Sequence, residues 1–389
     1  MGSRRRHALV FVPIAVVLVA LLVCGGLATF GDSRAAVFTD SSSASPSPRW
    51  GAQMAYDPIG GYTLLFSGSS GAVTQHGIRY GDTWTYRSGT WTDITPAACT
   101  NATCPRAEAY GGLSFYNKSG SSYLVLYGGR VASLLTDSTW IFNGSWHNVT
   151  PSHLVPGSNS PPALNYVAMT WDARDGYDLL YGGCSIDCKP GSASEHETWA
   201  FKGLNLRGKA VWRNLTGAVH PPGLYSEGLT YDAADHYVLL FGGGEFGTET
   251  YLNQTWSYTG ATGWVDRTAA VVNRSNTPPF EGIIPEQLQY DPAKGYVLLF
   301  GGQHFWASPT GGDKTANATT NETWSYRAGI WTNITQASSP HPRFGAAMTF
   351  DSADQVVLLF GGLGGTEVSP PLLGDTWWFN GTWTNRTLP

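Results

Sequence analysis

The sequence predicts an all-β fold built from one unit that recurs six times. The first observation is a short apolar run that ends in an aromatic residue and a pair of small residues. Its last copy is Val356-Val357-Leu358-Leu359-Phe360-Gly361-Gly362. Earlier copies end at Phe66-Ser67-Gly68, Tyr127-Gly128-Gly129, Tyr181-Gly182-Gly183, Phe241-Gly242-Gly243 and Phe300-Gly301-Gly302. The aromatic residues stand 61, 54, 60, 59 and 60 residues apart, and a near-constant period of this size means a repeat architecture. The second observation is that every copy carries two further tryptophans at matching places, which uses twelve of the 16 in the chain. The third is composition: 48 Gly and only 13% charged residues among 389 suit many short strands and tight turns.

Each unit reads as four antiparallel strands, a to d. In the last copy, Phe344 to Phe350 is a short apolar strand a, and Asp351-Ser352-Ala353-Asp354 is a turn. Gln355 to Phe360 is strand b, followed by the glycines. Asp375-Thr376-Trp377-Trp378-Phe379 is strand c, Asn380-Gly381 a two-residue hairpin signal, and Thr382 to Asn385 strand d. Elsewhere strand a ends in Tyr56, Tyr116, Trp171, Tyr231 and Tyr290, each followed by Asp or Asn. Strand c carries Trp84, Trp140, Trp199, Trp256 and Trp324, and strand d carries Trp91, Trp146, Trp212, Trp264 and Trp331. The c-to-d step is 6 to 8 residues in five copies and 13 in the third, where Gly203 to Ala210 lengthens the turn.

Strand b is apolar without alternation, as in Val238-Leu239-Leu240-Phe241. Alternation marks a sheet with one wet face, whereas a continuous apolar run means that both faces are covered. A meander packed between two similar meanders is the blade of a β-propeller. The expectation is therefore a six-bladed β-propeller of four-stranded antiparallel blades, at about 49–96, 105–151, 161–217, 220–269, 279–336 and 341–388. The paired glycines, the following Asp/Asn/Glu-Thr-Trp-x-aromatic and the later Trp resemble the kelch repeat. Residues 49–389 look like a kelch-type β-propeller, similar to the central domain of galactose oxidase. Ser67 departs from the double glycine, and the period exceeds the usual kelch length. The first copy starts with strand a and the last ends with strand d, so closure needs no strand exchanged between the termini. A stray strand near Ala35–Phe38 would change that.

The N-terminus reads differently. Arg4-Arg5-Arg6 precede Ala8 to Ala28, 21 residues without a charge. That is long enough to span a bilayer. The reading is a basic cytoplasmic tail (1–7), a transmembrane signal-anchor helix (8–30), a flexible stalk (31–48) and the propeller outside the cell membrane. A cleaved signal with Gly26-Leu27-Ala28 as its processing site is the alternative and gives a secreted protein. Cys24 then reads as a membrane-buried thiol. A net charge of −5 offers no footprint for nucleic acid.

Twelve Asn-x-Ser/Thr sequons follow, at Asn101, Asn117, Asn143, Asn148, Asn214, Asn253, Asn273, Asn317, Asn321, Asn333, Asn380 and Asn385. They fit an exported glycoprotein, and equally the preference of Asn-x-Thr for strand edges and turns. Cys99/Cys104 and Cys184/Cys188 form two close pairs, for which local disulfides are the default outside the cell, with a shared four-thiolate metal site the sharper alternative.

Strand order places the b-to-c and d-to-a loops on one face and the a-to-b and c-to-d turns on the other. The first face takes every long insertion: Ser69–Tyr80, Cys184–His196, Gly244–Leu252 and Gln303–Thr320. Long loops on a rigid scaffold are where binding concentrates, and the kelch resemblance implies that this face recognises partners. Its candidates are the aromatic knot His304, Phe305 and Trp306, the acids Glu195, Glu245 and Glu249 with His196 and Tyr251, and Arg79, Arg106, Arg130 and Arg343, which suit carboxylate recognition. The function expected is a non-catalytic module binding an extracellular protein or glycan. The alternative is a carbohydrate-active hydrolase or lyase using those acids. No cofactor or metal is called for. A galactose-oxidase-type copper site is not expected, because no Cys is spare for a Tyr crosslink and the His residues are scattered singly.

Overall fold

Strand b is buried over its last four residues in every sheet of the computed structural model. Tyr62–Phe66, Leu124–Tyr127 and Val356–Phe360 have no exposed residue, as expected for strands covered on both faces. The structure describes residues 45–71, 77–99, 104–131, 134–152, 160–185, 195–245, 250–272, 278, 281–282, 288–305, 317–365 and 371–387. The N-terminal segment at 8–30 and the stretch Ala35–Phe38 lie outside them. Among the described residues no helix is long and apolar enough to cross a membrane.

Six antiparallel sheets of the a-b-c-d order appear among the described residues. The first is Gln53–Asp57, Tyr62–Phe66, Thr83–Arg87 and Thr90–Asp93. In the next four, strand a is Gly112–Lys118, Ala168–Asp172, Gly228–Asp232 and Leu288–Asp291. The sixth is Ala347–Asp351, Val356–Gly364, Leu372–Phe379 and Trp383–Asn385. Each strand a lies beside that of the next sheet, and Ala347–Asp351 lies beside Gln53–Asp57. Apolar cores fill the seams between neighbouring sheets.

The repeated residues hold these seams. Every strand-d tryptophan donates its indole N–H to the strand-c threonine of the preceding sheet. The pairs are Trp146 to Thr83 (3.0 Å), Trp212 to Thr139 (3.1 Å), Trp264 to Thr198 (2.8 Å), Trp331 to Thr255 (3.3 Å) and Trp383 to Thr323 (2.9 Å). Trp91 reaches Thr376 of the sixth sheet at 2.9 Å, so the first and last sheets share the same bond. The glycine pairs serve the same seam. The first glycine has a left-handed backbone (φ +68° to +72°), and a Cβ on Gly128, Gly182, Gly301 or Gly361 would press on a carbonyl of the next sheet. The second glycine donates to that carbonyl, as in Gly129 N to Leu164 O (2.7 Å) and Gly362 N to Arg49 O (2.8 Å). Ser67, the exception, adopts φ +61° and donates its hydroxyl to Tyr80 O.

The end of strand d explains four of the sequons. The side-chain oxygens of Asn148, Asn214, Asn333 and Asn385 each accept the backbone N–H two residues on, at Thr150, Thr216, Thr335 and Thr387. Asp93 and Asp266 do the same in the other two sheets. The threonine hydroxyl then accepts the N–H of the strand-c threonine, from Thr83 N to Thr95 through Thr376 N to Thr387. The repeated requirement here is an Asx turn, which Asp satisfies as well as Asn. Asn101 and Asn273 lie outside the described residues.

Strand boundaries differ from expectation in the last copy. Arg343–Phe344 is separated from strand a because Gly345 takes φ +65° and turns the chain, and it pairs instead with the far end of strand b. Strand b continues through its glycines to Gly364 with a register shift after Phe360. In the third sheet a register shift beyond Phe201 absorbs part of the longer c-to-d connection. Cys99–Cys104 is a disulfide. Cys184 is also disulfide-bonded, which removes its thiolate from any metal set, and Cys188 lies outside the described residues.

Candidate functional site

Two residues before strand a, the chain is left-handed in five sheets: Gly51 (φ +61°), Tyr110 (+66°), Tyr166 (+53°), Ser226 (+57°) and Gly345 (+65°). The N–H of four of them donates to its counterpart in the preceding sheet: Gly51 to Gly345, Tyr110 to Gly51, Tyr166 to Tyr110 and Ser226 to Tyr166, at 2.7–3.2 Å. This belt of backbone bonds crosses the long-loop end of the axis. It explains why bulky tyrosines accept a conformation they ordinarily avoid, since the bonds on both sides fix the backbone. Gly51 has no such latitude. A Cβ there would run into the Tyr110 ring.

The belt carries an aromatic arch. Trp50 packs between Phe344 (5.8 Å) and Tyr110 (4.9 Å), and Tyr110 stacks on Tyr166 (4.5 Å, 25°). Tyr225 stands edge-on to Tyr166 and Tyr251, both at 6.1 Å, and shares a 2.7 Å hydroxyl–hydroxyl bond with Tyr251. Trp50, Tyr110 and Phe344 are buried, whereas Tyr166, Tyr225 and Tyr251 keep part of their surface in water. Arg79 lies over the Tyr110 ring at 5.4 Å, and the charges of Arg130 and Arg79 both act on Tyr166. Arg79 Nη1 and Arg130 Nε are buried without a hydrogen-bond partner.

The sequence candidates divide around this arch. Arg79, Arg130 and Tyr251 converge on it. Arg343 does not, because its fully buried guanidinium pairs bidentately with Asp375 (2.6 and 2.8 Å) and caps Gly361 O and His341 O. Although burial alone would raise the Asp375 pKa, Arg343 holds it below the usual carboxylate range. Arg49 makes the same pair with Asp82 in the first sheet. Glu195 accepts the Ser185 hydroxyl, and exposed His196 stacks on His220 at 4.5 Å. Glu245 pairs in a short two-stranded ribbon with Thr250. Arg106 is exposed. His304 and Phe305 lie in a small strand, Gln303–Phe305, that pairs with Asn317–Thr319. Trp306 and Glu249 lie outside the described residues.

Three buried acids were missed in the sequence. Glu108 stands where the first and sixth sheets have their buried arginines, and Ser138 replaces the partner aspartate. Burial pushes Glu108 up to about 8, against a weak Ser138 bond and the more distant Arg106. Glu227 occupies a place that holds Ala52, Gly111, Val167 or Ala346 elsewhere. It is fully buried beside Gly182 and Gly243, and burial raises it to about 8 against the backbone amides of Glu227 and Ala168. Asp178 interrupts strand b of the third sheet and also rises to about 8 through burial, with the Ser114 hydroxyl its opposing neighbour. The signal for each was an odd residue in a repeat column, legible only once the register is known.

The opposite end of the axis is built from strand a itself. A cavity of about 340 Å³ is lined by all six strands a and opens among the a-to-b turns. Its rim places one aromatic residue from each sheet at the same register position: Tyr56, Phe115, Trp171, Tyr231, Tyr290 and Phe350.

No family model matches the sequence, and no curated protein matches it. Among solved structures the chain is similar to one titled "Structure of YjhT", a kelch-like propeller-type protein, with a TM-score of 0.60 over 88% of this chain and 98% of that one. The fold is that of a β-propeller. At 12% identity the likeness extends to the fold alone. The sheets are therefore blades, and the belt and the cavity are the two ends of a propeller axis.

Proposed function

We propose that this chain is a kelch-type propeller of six blades, closed without an exchanged strand, that acts as a non-catalytic binding module. Its ligand is an extracellular protein or glycan, met at the long-loop end of the axis. A carboxylate-bearing glycan fits the geometry best. The observation that carries this is the partly buried Tyr166–Tyr225–Tyr251 platform beside Arg79 and Arg130, whose unengaged N–H groups suit a carboxylate. The uncharged segment at 8–28 supports a single-pass anchor with the propeller outside.

The test is retention of the full chain on glycans that differ only in a carboxylate. Acidic members are expected to bind, and combined Arg79→Gln and Arg130→Gln to weaken them at least tenfold. Equal retention of acidic and neutral members would contradict the reading. A carbohydrate-active enzyme is the second reading. It is favoured by Glu227, a carboxyl held protonated to about pH 8 at the same end of the axis. Turnover on the same glycans that is lost in Glu227→Gln would establish it.

A further inference from the structure

The cavity at the turn end plays no part in that reading. Its rim is a collar of six rings, one per blade: Tyr56, Phe115, Trp171, Tyr231, Tyr290 and Phe350. Five are half-buried: Phe115, Trp171, Tyr231 and Tyr290 pack in part on the inter-sheet cores and keep the rest of their surface accessible, as does Tyr56, whereas Phe350 is 8% exposed. Among the described residues none that lines the cavity is charged.

The surroundings are acidic. Directly after the collar residue, Asp57, Asp172, Asp232, Asp291 and Asp351 cap the a-to-b turns with one carboxylate oxygen each. Counting Asp175, Asp235 and Asp354, the six turns hold eight aspartates against Lys118, Arg174 and Lys294, with Arg87 and Arg327 reaching the first and fifth turns from the c-to-d connections. Two of those cations are drawn sideways, Lys118 to Gly176 O and Arg174 to His236 O. Aromatic faces with an acidic surround and an uncharged lining disfavour an anion. They favour a cation that sheds its water easily, whose charge meets the negative faces of the rings. An ammonium wrapped in methyl groups has that chemistry, and a cavity of about 340 Å³ accommodates one with a short substituent.

We propose that the turn end of the propeller axis is a binding site for a small organic cation of the quaternary-ammonium class, held by the six-ring collar. The site is independent of the long-loop end, so either stands without the other.

The experiment is calorimetric titration of the full chain with choline, with its uncharged isostere 3,3-dimethylbutan-1-ol, and with a neutral methyl glucoside. Choline is expected to bind, and the isostere to bind about tenfold more weakly, because it fills the same space without the charge. Trp171→Leu keeps an apolar side chain but removes the ring face. It is expected to weaken choline about tenfold, with some loss of melting temperature because Trp171 also packs on Tyr116, while Trp171→Phe loses only a few-fold. Should Trp171→Leu fail to fold, the choline-to-isostere ratio on the parent chain decides alone. Equal binding of choline and isostere, preference for the glucoside, or no choline binding at millimolar concentration would overturn the proposal.

Discussion

The two ends of the propeller axis are made by the same six strands, yet they follow different rules. At the turn end one register position holds an aromatic residue in every blade, and the next holds Asp in five. At the long-loop end, equivalent positions hold Arg49, Glu108, Leu164, Leu224 and Arg343, and then Trp50, Ala109, Asn165, Tyr225 and Phe344. Uniformity arises where each blade solves the same local problem, a tight turn between strands a and b. Variety arises where the loops have different lengths and only the backbone belt is shared. The first end presents a symmetric ring, and the second an individual surface with distinct sides. A compact, nearly isotropic ligand suits the former, and an asymmetric one with a carboxylate suits the latter.

The comparison can be broken first at the blade-specific end. Arg343→Ala removes one partner of a buried bidentate pair and leaves Gly361 O and His341 O without their donor. A loss of about 3–5 kcal/mol is expected in urea unfolding. Asp375 should then titrate higher than in the parent. Its pairing stabilises the fold above the usual carboxylate range and is lost as pH falls through the lowered pKa. A loss no larger than that of an exposed ion pair would mean that the arginine is not part of the framework.

Glu227 sharpens the contrast through pH. It keeps its proton in the fold to about pH 8 but releases it near 4.5 when unfolded. Between those values the folded state binds more protons, so stability falls as pH rises, by up to about 1.4 kcal/mol per pH unit. Glu227→Gln should lessen the slope of unfolding free energy between pH 5 and 8, the part due to Glu108 and Asp178 remaining, and raise stability at pH 8. An unchanged slope would show that the carboxyl is already ionised.

Smaller effects belong to the uniform framework. Trp146→Phe removes the indole bond to Thr83 and should cost about 1 kcal/mol beyond the packing change. The equivalent change in any other blade should cost a similar amount. Asn148→Ala should cost about 1 kcal/mol in unglycosylated protein by removing the Asx turn, whereas Asn148→Asp should be nearly neutral, since Asp93 and Asp266 make the same turn. Equal losses in both variants would show that the asparagine is needed for something other than the turn.

Much of the propeller was legible because its rules are local. Glycine pairs, Thr-Trp strands and Asn-Gly turns act within a few residues and repeat. Strand b is continuously apolar because both its faces are covered, and that environment is visible in composition. The belt was not legible, since Tyr110, Tyr166 and Ser226 give no sign of a left-handed backbone; neighbouring blades impose it. Of the candidate site, loop position pointed to Arg79, Arg130 and Tyr251. It also pointed to Arg343, whose exposure depends on a partner 32 residues away. Tyr166 and Tyr225 look like ordinary linker tyrosines until the belt brings them together. The collar is only partly legible: the strand ends mark five of its rings, but in the second sheet they point to Tyr116 where the register puts Phe115, and nothing in the sequence says that strand a faces the axis.

The central claim is that the long-loop end, and not the turn end, recognises the large ligand. Amide hydrogen exchange of the full chain, with and without the acidic glycan retained most strongly, tests it directly. Protection is expected at residues 66–71, 108–112, 164–167, 224–227 and 250–252, with the turns at 57–61, 172–176, 232–236 and 291–295 unchanged. Protection confined to those turns, with none at the belt, would contradict it.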